Sequence, residues 1–219
     1  MKHILAVGDS FTYGEELESI YDAYPYKLAN LISNDTQVIN LGKPGSGNKS
    51  MIRNVIKHVS ENNLLDLVII GWASPGRMEF ADQSGVFDLW PGYSGRIFIE
   101  HNQWRSELLD YINKYHSPEH IYESYLLDII LMQSFLKQKN IRYVMTTTCA
   151  NEYYHNIYYT GMKPLTDLID TSFYLGWPSN GMAECTQGCK KGPGGHFLED
   201  GHKKVAKTIY EHIRTLNWI

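Results

Sequence analysis

The sequence predicts an α/β fold in three layers, with a mostly parallel central sheet and helices on both of its faces. Three observations carry this expectation. Apolar runs of strand length recur along the chain, helical patterns separate them, and polar or glycine-rich loops follow the runs. Strands joined through helices pair in parallel, and strands covered on both faces are apolar throughout.

The first run, His3-Ile4-Leu5-Ala6-Val7, ends in Gly-Asp-Ser, as expected of a buried strand stopping at a loop with polar chemistry. Tyr24 to Ile32 carries Leu28, Leu31 and Ile32 at helical spacing after Pro25, so it reads as a helix. Gln37 to Leu41 reads as the second strand, and a glycine-rich loop follows. Ser50 to Val59 places Met51, Ile52, Val55, Ile56 and Val59 on one helix face, and Leu64 to Ile70 is the third strand. From Gly71 to about Gln103 glycine, proline, serine and aromatics dominate without a sustained period, which predicts an elaborated loop. Glu119 to Lys137 is a long apolar helix, and Ile141 to Thr148 is the fourth strand, rich in β-branched and aromatic residues. A second irregular stretch, about 149–195, holds one short helical pattern near Leu165 to Ile169. A helix from about Glu199 to Arg214 closes the chain. In such a sheet the ligand site is expected at the carboxyl ends of the strands.

At 219 residues, with 43% hydrophobic and 20% charged side chains, the chain suits one domain spanning 1–219. A net charge of −4, from 24 acidic and 20 basic residues, gives no electrostatic reason to expect nucleic acid or an anionic membrane surface as a partner. The apolar run before Gly8 is too short for a signal peptide or a membrane span, so the expected location is the cytoplasm. Three cysteines, Cys149, Cys185 and Cys189, cannot all pair within one chain, and reduced thiols are expected.

Gly8-Asp9-Ser10 puts a serine hydroxyl at the sheet edge beside a helix start, a good place for a nucleophile. The plainer reading is that Ser10 or Thr12 caps a helix. A serine alcohol needs a base within hydrogen-bond reach, so the choice turns on histidine. Among nine histidines, His58, His116, His120 and His212 fall on apparent helix surfaces or ends, where solvated roles are commoner. His196 stands apart, in a glycine-flanked loop (Gly194-Gly195-His196) just before the terminal helix.

Together these pieces resemble the SGNH hydrolases, also called GDSL esterases and lipases, from end to end of the chain. The block Gly8-Asp9-Ser10-Phe11-Thr12-Tyr13-Gly14-Glu15 is similar to the family's nucleophile block, Asn40-Leu41-Gly42-Lys43-Pro44-Gly45 to its second block, and His196 with Gly201-His202 to its histidine block. The resemblance implies a flavodoxin-like sheet of about five strands. It implies Ser10 as nucleophile, Asp9 in support, His196 as base, His202 as structural, and an oxyanion hole built from the N–H groups of Ser10 and Gly45. No cofactor is implied.

Two blocks depart from the family. The third, normally Gly-x-Asn-Asp, falls at Gly71-Trp72-Ala73-Ser74, where Ala73 has no side-chain donor; losing one such donor typically costs about 10²–10³ in turnover. Ser74, Trp72 or Asn48 could replace it. The acid normally three residues before the histidine is Pro193 here, leaving a backbone carbonyl or a distant carboxylate to orient His196. Glu184, Glu199 and Asp200 are near in sequence, but the last two are expected to start the terminal helix.

Other motifs carry less. Cys185-x-x-x-Cys189 with His196 seven residues on lacks the tight paired spacing of a zinc site, and Gly42 to Gly47 lacks a Gly-Lys-Ser/Thr ending, so neither a metal nor a phosphate loop is expected. Trp72, Trp90, Tyr93, Trp104, Tyr153, Tyr154, Tyr158, Tyr159 and Trp177 are expected mainly to pack under long loops; lining a cleft, they would suit a glycan or another polar acylated ligand. The resemblance therefore implies a serine esterase, and the lack of a long apolar stretch suited to a lipid-binding lid favours a short O-acyl group, such as acetyl, on a small molecule or glycan. An acyltransferase and a binding module descended from such an enzyme are the alternatives.

Overall fold

Alternate residues of the first strand face two different cores, and this alternation sets the layers. The computed structural model describes residues 1, 3–61, 64–83, 85–89, 110–112, 114–115, 117–149, 161–178 and 181–219. Its main sheet consists of β1 (His3–Val7), β2 (Gln37–Asn40), β3 (Leu67–Trp72), β6 (Arg142–Thr147) and β7 (Tyr174–Leu175), in the order β2-β1-β3-β6-β7 and parallel throughout. The register sets Ile4 opposite Val38 and Leu67, and Ile70 opposite Met145.

Leu5, Val7, Val68, Ile70, Tyr143 and Met145 point to one face, where α3 (Asn48–Glu61) and α4 (Pro118–Gln138) contribute Met51, Val55, Leu126, Ile129 and Met132. Ile4, Ala6, Leu67, Ile69 and Val144 point to the other. There α2 (Tyr24–Ile32) and α7 (Glu199–Thr215) supply Tyr24, Leu28, Val205, Ile209 and Ile213. Each fully buried Leu or Ile contributes about 1.5–3 kcal/mol, so the period-2 pattern of the strands and the helical period of the four helices together fix the sandwich. Ser117 starts α4 by accepting a hydrogen bond from the His120 N–H, with Pro118 at the first helical position. No described helix is long and apolar enough to cross a membrane.

The structure corrects several expected boundaries. The third strand begins at Leu67, because Asp66 is taken up by His3: its backbone N–H donates to the His3 carbonyl and its carboxylate accepts from the His3 N–H. Leu64 is left exposed. The strand also continues through Gly71 and Trp72, which pair with Thr146 and Thr147. The region expected to be a loop from Gly71 holds an antiparallel hairpin, β4 (Met78–Asp82) and β5 (Gly85–Leu89), with the rings of Phe80 and Phe87 stacked. The second irregular stretch supplies β7, the fifth strand, and two one-turn helices, α5 (Lys163–Thr166) and α6 (Met182–Cys185). Trp72 lies fully in the core, edge-on to Tyr125, and Trp177 packs on Tyr174. Trp90, Tyr93, Trp104, Tyr153, Tyr154, Tyr158 and Tyr159 lie outside the described residues.

Candidate active site

The loops that leave β1, β2, β3 and β6 emerge at one edge of the sheet, since all these strands run the same way. Directly after β1, Asp9 caps a one-turn helix, α1 (Ser10–Tyr13), by accepting from the Phe11 N–H at 3.1 Å. Ser10 is the first helical residue. Gly14 ends the turn in the left-handed conformation (φ 91°), and Glu16 repeats it (φ 68°). These two reversals fold the chain back so that Glu15 and Glu16 both reach the imidazole that meets Ser10. A left-handed glutamate costs on the order of 1–2 kcal/mol, so its conformation must be held by contacts.

Those contacts come from the histidine loop. The Glu16 carboxylate accepts from the Gly194 N–H at 2.5 Å, from the His196 N–H at 3.1 Å, and lies 2.9 Å from His196 Nδ1. The loop makes room for it: a Cβ on Gly192 would fall 2.6 Å from Glu16 Cδ. The Gly194 N–H is the main reason the Glu16 carboxyl is held below the usual carboxylate value; burial opposes it, and His196 adds to it. The loop is itself pinned by Gly192 N–H to the His196 carbonyl (2.8 Å), Leu198 N–H to the Lys190 carbonyl (2.9 Å) and Lys190 N–H to the Asp200 carboxylate (3.1 Å). Phe11 packs its ring 4.9 Å from that of His196 and 5.0 Å from that of Phe197.

On the far side of the imidazole, His196 Nε2 lies 2.8 Å from Ser10 Oγ. An ionised Glu16 only accepts, so Nδ1 carries the ring proton and Nε2 presents its lone pair to the Ser10 hydroxyl. The structure thus brings together Ser10 and His196, the two residues singled out in the sequence. The carboxylate that meets His196 Nδ1 is Glu16, and not Glu184, Glu199 or Asp200. Glu199 pairs with Lys27 and Lys203, and Asp200 binds the N–H groups of Lys190 and Gly201. The carboxylate at Nδ1 thus comes from the loop that carries Ser10, not from a residue near Pro193. Its only sequence signal is Glu15-Glu16 after Gly14, facing a histidine loop of glycines with no acid of its own.

Asp9 is fully buried beside this chain of contacts. Its Oδ2 accepts from Thr148 Oγ1 at 2.9 Å and pairs with Arg77 Nη1 at 3.1 Å, and Arg77 also donates to the Ser46 carbonyl. The ion pair thus ties the loop after β3 to those after β1 and β2. Arg77 was not anticipated from the sequence, where it lay in the stretch expected to be irregular. Cys149 sits 3.9 Å from Asp9, and burial first, then the Asp9 charge, pushes its thiol up to about 11, so it stays protonated and weakly nucleophilic.

In the second loop, Asn40 donates to the Thr12 carbonyl and accepts from the Gly42 N–H, both at 2.9 Å, and the Lys43 N–H donates to the Gly8 carbonyl. This fastens the loop carrying Gly45 to the nucleophile turn. Gly45 is exposed, with φ 78°. Asn48 faces the third loop: its Oδ1 accepts from the Ala73 N–H at 2.9 Å, and its amide donates to the carbonyls of Ala73 and Ser74 at 3.3 and 3.5 Å. Its side chain clamps that loop. Ser74 is buried, and the Trp72 indole lies in the core. His202 is structural: its Nδ1 accepts from the Tyr24 N–H at 3.1 Å, and burial pushes its pKa down to about 4. Cys185 and Cys189 are half-buried free thiols, and among the described residues no three His, Cys, Asp or Glu side chains gather as a metal site.

No protein-family model and no curated protein sequence matches this chain. Solved structures do. TesA aligns with a TM-score of 0.60 at 12% identity, over 98% of this chain and 99% of its own. A carbohydrate acetylesterase family member from Sinorhizobium meliloti aligns with a TM-score of 0.56 at 12% identity, over 100% of both chains. A member of the lipolytic protein G-D-S-L family from Veillonella parvula DSM 2008 aligns at 0.52 and 13% identity, over 96% and 97%. With its all-parallel five-stranded sheet between helices and these end-to-end likenesses, the chain has the SGNH (GDSL) hydrolase fold.

Proposed function

We propose that the protein is a serine esterase that hydrolyses a short O-acyl ester, such as an acetyl group on a carbohydrate or another small molecule. The observation that carries this reading is one unbroken line of contacts: Ser10 Oγ to His196 Nε2 at 2.8 Å, and His196 Nδ1 to Glu16 at 2.9 Å. Ser10 Oγ attacks the ester carbonyl while Nε2 takes its proton, and Glu16 stabilises the imidazolium that forms. The backbone N–H groups of Ser10 and Gly45 receive the charge that develops on the carbonyl oxygen. Collapse of the tetrahedral adduct breaks the ester C–O bond, and Nε2 returns the proton to the departing alcohol. Water, deprotonated by the same nitrogen, then cleaves the acyl-enzyme and frees Ser10.

The acyl preference rests on the sequence, which has no long apolar stretch suited to a lipid-binding lid. It also rests on the carbohydrate acetylesterase among the structural neighbours. The test is hydrolysis of p-nitrophenyl acetate and of an acetylated sugar by the wild-type chain, Ser10→Ala and His196→Ala. Release of acetate by the wild type and its loss in both variants is the expected result. A folded wild type inert toward both esters would overturn the reading.

A further inference from the structure

A second carboxylate reaches the imidazole. Glu15 Oε2 lies 3.4 Å from His196 Nε2, the same nitrogen that faces Ser10 Oγ, whereas Glu16 binds the opposite nitrogen. The two acids have different surroundings. Glu16 is surrounded by two backbone N–H groups and Nδ1. Glu15 is one-third exposed, and the imidazole is the only polar group its carboxylate meets among the described residues. The other acid at the site, Asp9, is buried and neutralised by Arg77.

We propose that Glu15 selects the alcohol half of the ester, favouring an alcohol that carries a hydroxyl or ammonium group next to the esterified oxygen and rejecting one that carries an anion there. The inference rests on the esterase reading. In that reaction Nε2 must hand its proton to the departing oxygen, so that oxygen comes within hydrogen-bond reach of Nε2. A carboxylate oxygen 3.4 Å from the same nitrogen then borders the departing oxygen and its neighbouring substituent. An ionised carboxylate accepts hydrogen bonds and donates none, so a neighbouring hydroxyl or ammonium gains a partner while a carboxylate or phosphate meets a like charge. Because Glu15 is part-exposed, the discrimination is moderate, about tenfold in kcat/KM.

The test compares kcat/KM for three acetate esters of similar size on the full chain and on Glu15→Gln: O-acetylcholine (cationic, without an N–H), 2-hydroxyethyl acetate (neutral donor) and O-acetylglycolate (anionic). The wild type is expected to favour the first two over the third by about tenfold or more, and Glu15→Gln to bring those ratios close to one. A purely structural role would scale all three esters together and leave the ratios unchanged; that outcome overturns the proposal. Unequal loss of the cationic and neutral preferences tells whether Glu15 recognises positive charge or a hydroxyl donor, and either loss supports the proposal. Labelling of Ser10 by a fluorophosphonate, run in parallel, separates the two readings: a labelled wild type with unchanged ratios overturns the selectivity alone, and an unlabelled, inert wild type overturns both.

Discussion

The Glu16 carboxylate lies 2.9 Å from Nδ1 of His196, a residue 180 positions further along the chain. Ser10 and Glu16 thus belong to one short turn, and the histidine loop supplies the imidazole and the N–H groups that hold the Glu16 carboxylate. Glu16→Gln replaces an acceptor by a group that can also donate, which lets the imidazole settle in the wrong tautomer. Turnover is expected to fall by about 10³–10⁴. Steady-state kinetics should place most of this loss in kcat.

Gly192 gives the same point a steric form. Gly192→Ala would put a methyl group 2.6 Å from Glu16 Cδ, so the carboxylate must move off His196 Nδ1. A displacement of this size is expected to lower kcat by about 10²-fold while the protein stays folded. Activity within twofold of wild type would show that Glu16 does not act through this contact.

How much of this was legible in the sequence depended on whether a feature was local. β1 and the long helix α4 could be read directly, because an unbroken apolar run and an apolar helical period each have one plausible structure. The far end of β3 could not, since Gly71 looked like a stop although its pairing with Thr146 carries the strand onward. The β4–β5 hairpin was hidden because each strand is only five residues long and carries carboxylates, Glu79 and Asp82 in one and Asp88 in the other, among its apolar residues. Ser10 and His196 were visible as residue types in telling loops. Glu16 was not, because its role depends on two left-handed residues turning the chain back and on a glycine loop far away in sequence that opens to admit it.

The Asp9–Arg77 pair makes a stability prediction. The Asp9 and Arg77 side chains are almost wholly buried, 0% and 7% exposed, so neutralising Asp9 removes the buried counter-charge that Arg77 meets at 3.1 Å. Asp9→Asn keeps the shape and the cap on α1 but removes the charge. It is expected to cost about 3–5 kcal/mol in urea unfolding, and adding Arg77→Met should recover part of that loss. An Asp9→Asn variant as stable as wild type would mean that the pair is not a buried one in solution.

His202 predicts how stability depends on pH. Its folded pKa is pushed from 6.5 down to about 4, so between those values the unfolded chain binds more protons than the folded one. The protein should therefore hold its full share of this stability above pH 6.5, lose it as the pH falls toward 4, and lose no more from this group below that. The shift corresponds to roughly 3 kcal/mol. His202→Asn keeps an acceptor for the Tyr24 N–H without a titrating ring, and unfolding measured from pH 7 to 4 should show a flatter profile for this variant.

The central claim is that Ser10, His196 and Glu16 act as one unit on an acyl carbon. Its most direct test is mass spectrometry of the intact chain after reaction with a fluorophosphonate, with the adduct mapped by proteolysis. A single adduct on Ser10, absent from His196→Ala and formed far more slowly in Glu16→Gln, is the predicted result. Adduct formation at equal rates in all three proteins, or on a residue other than Ser10, would contradict the account.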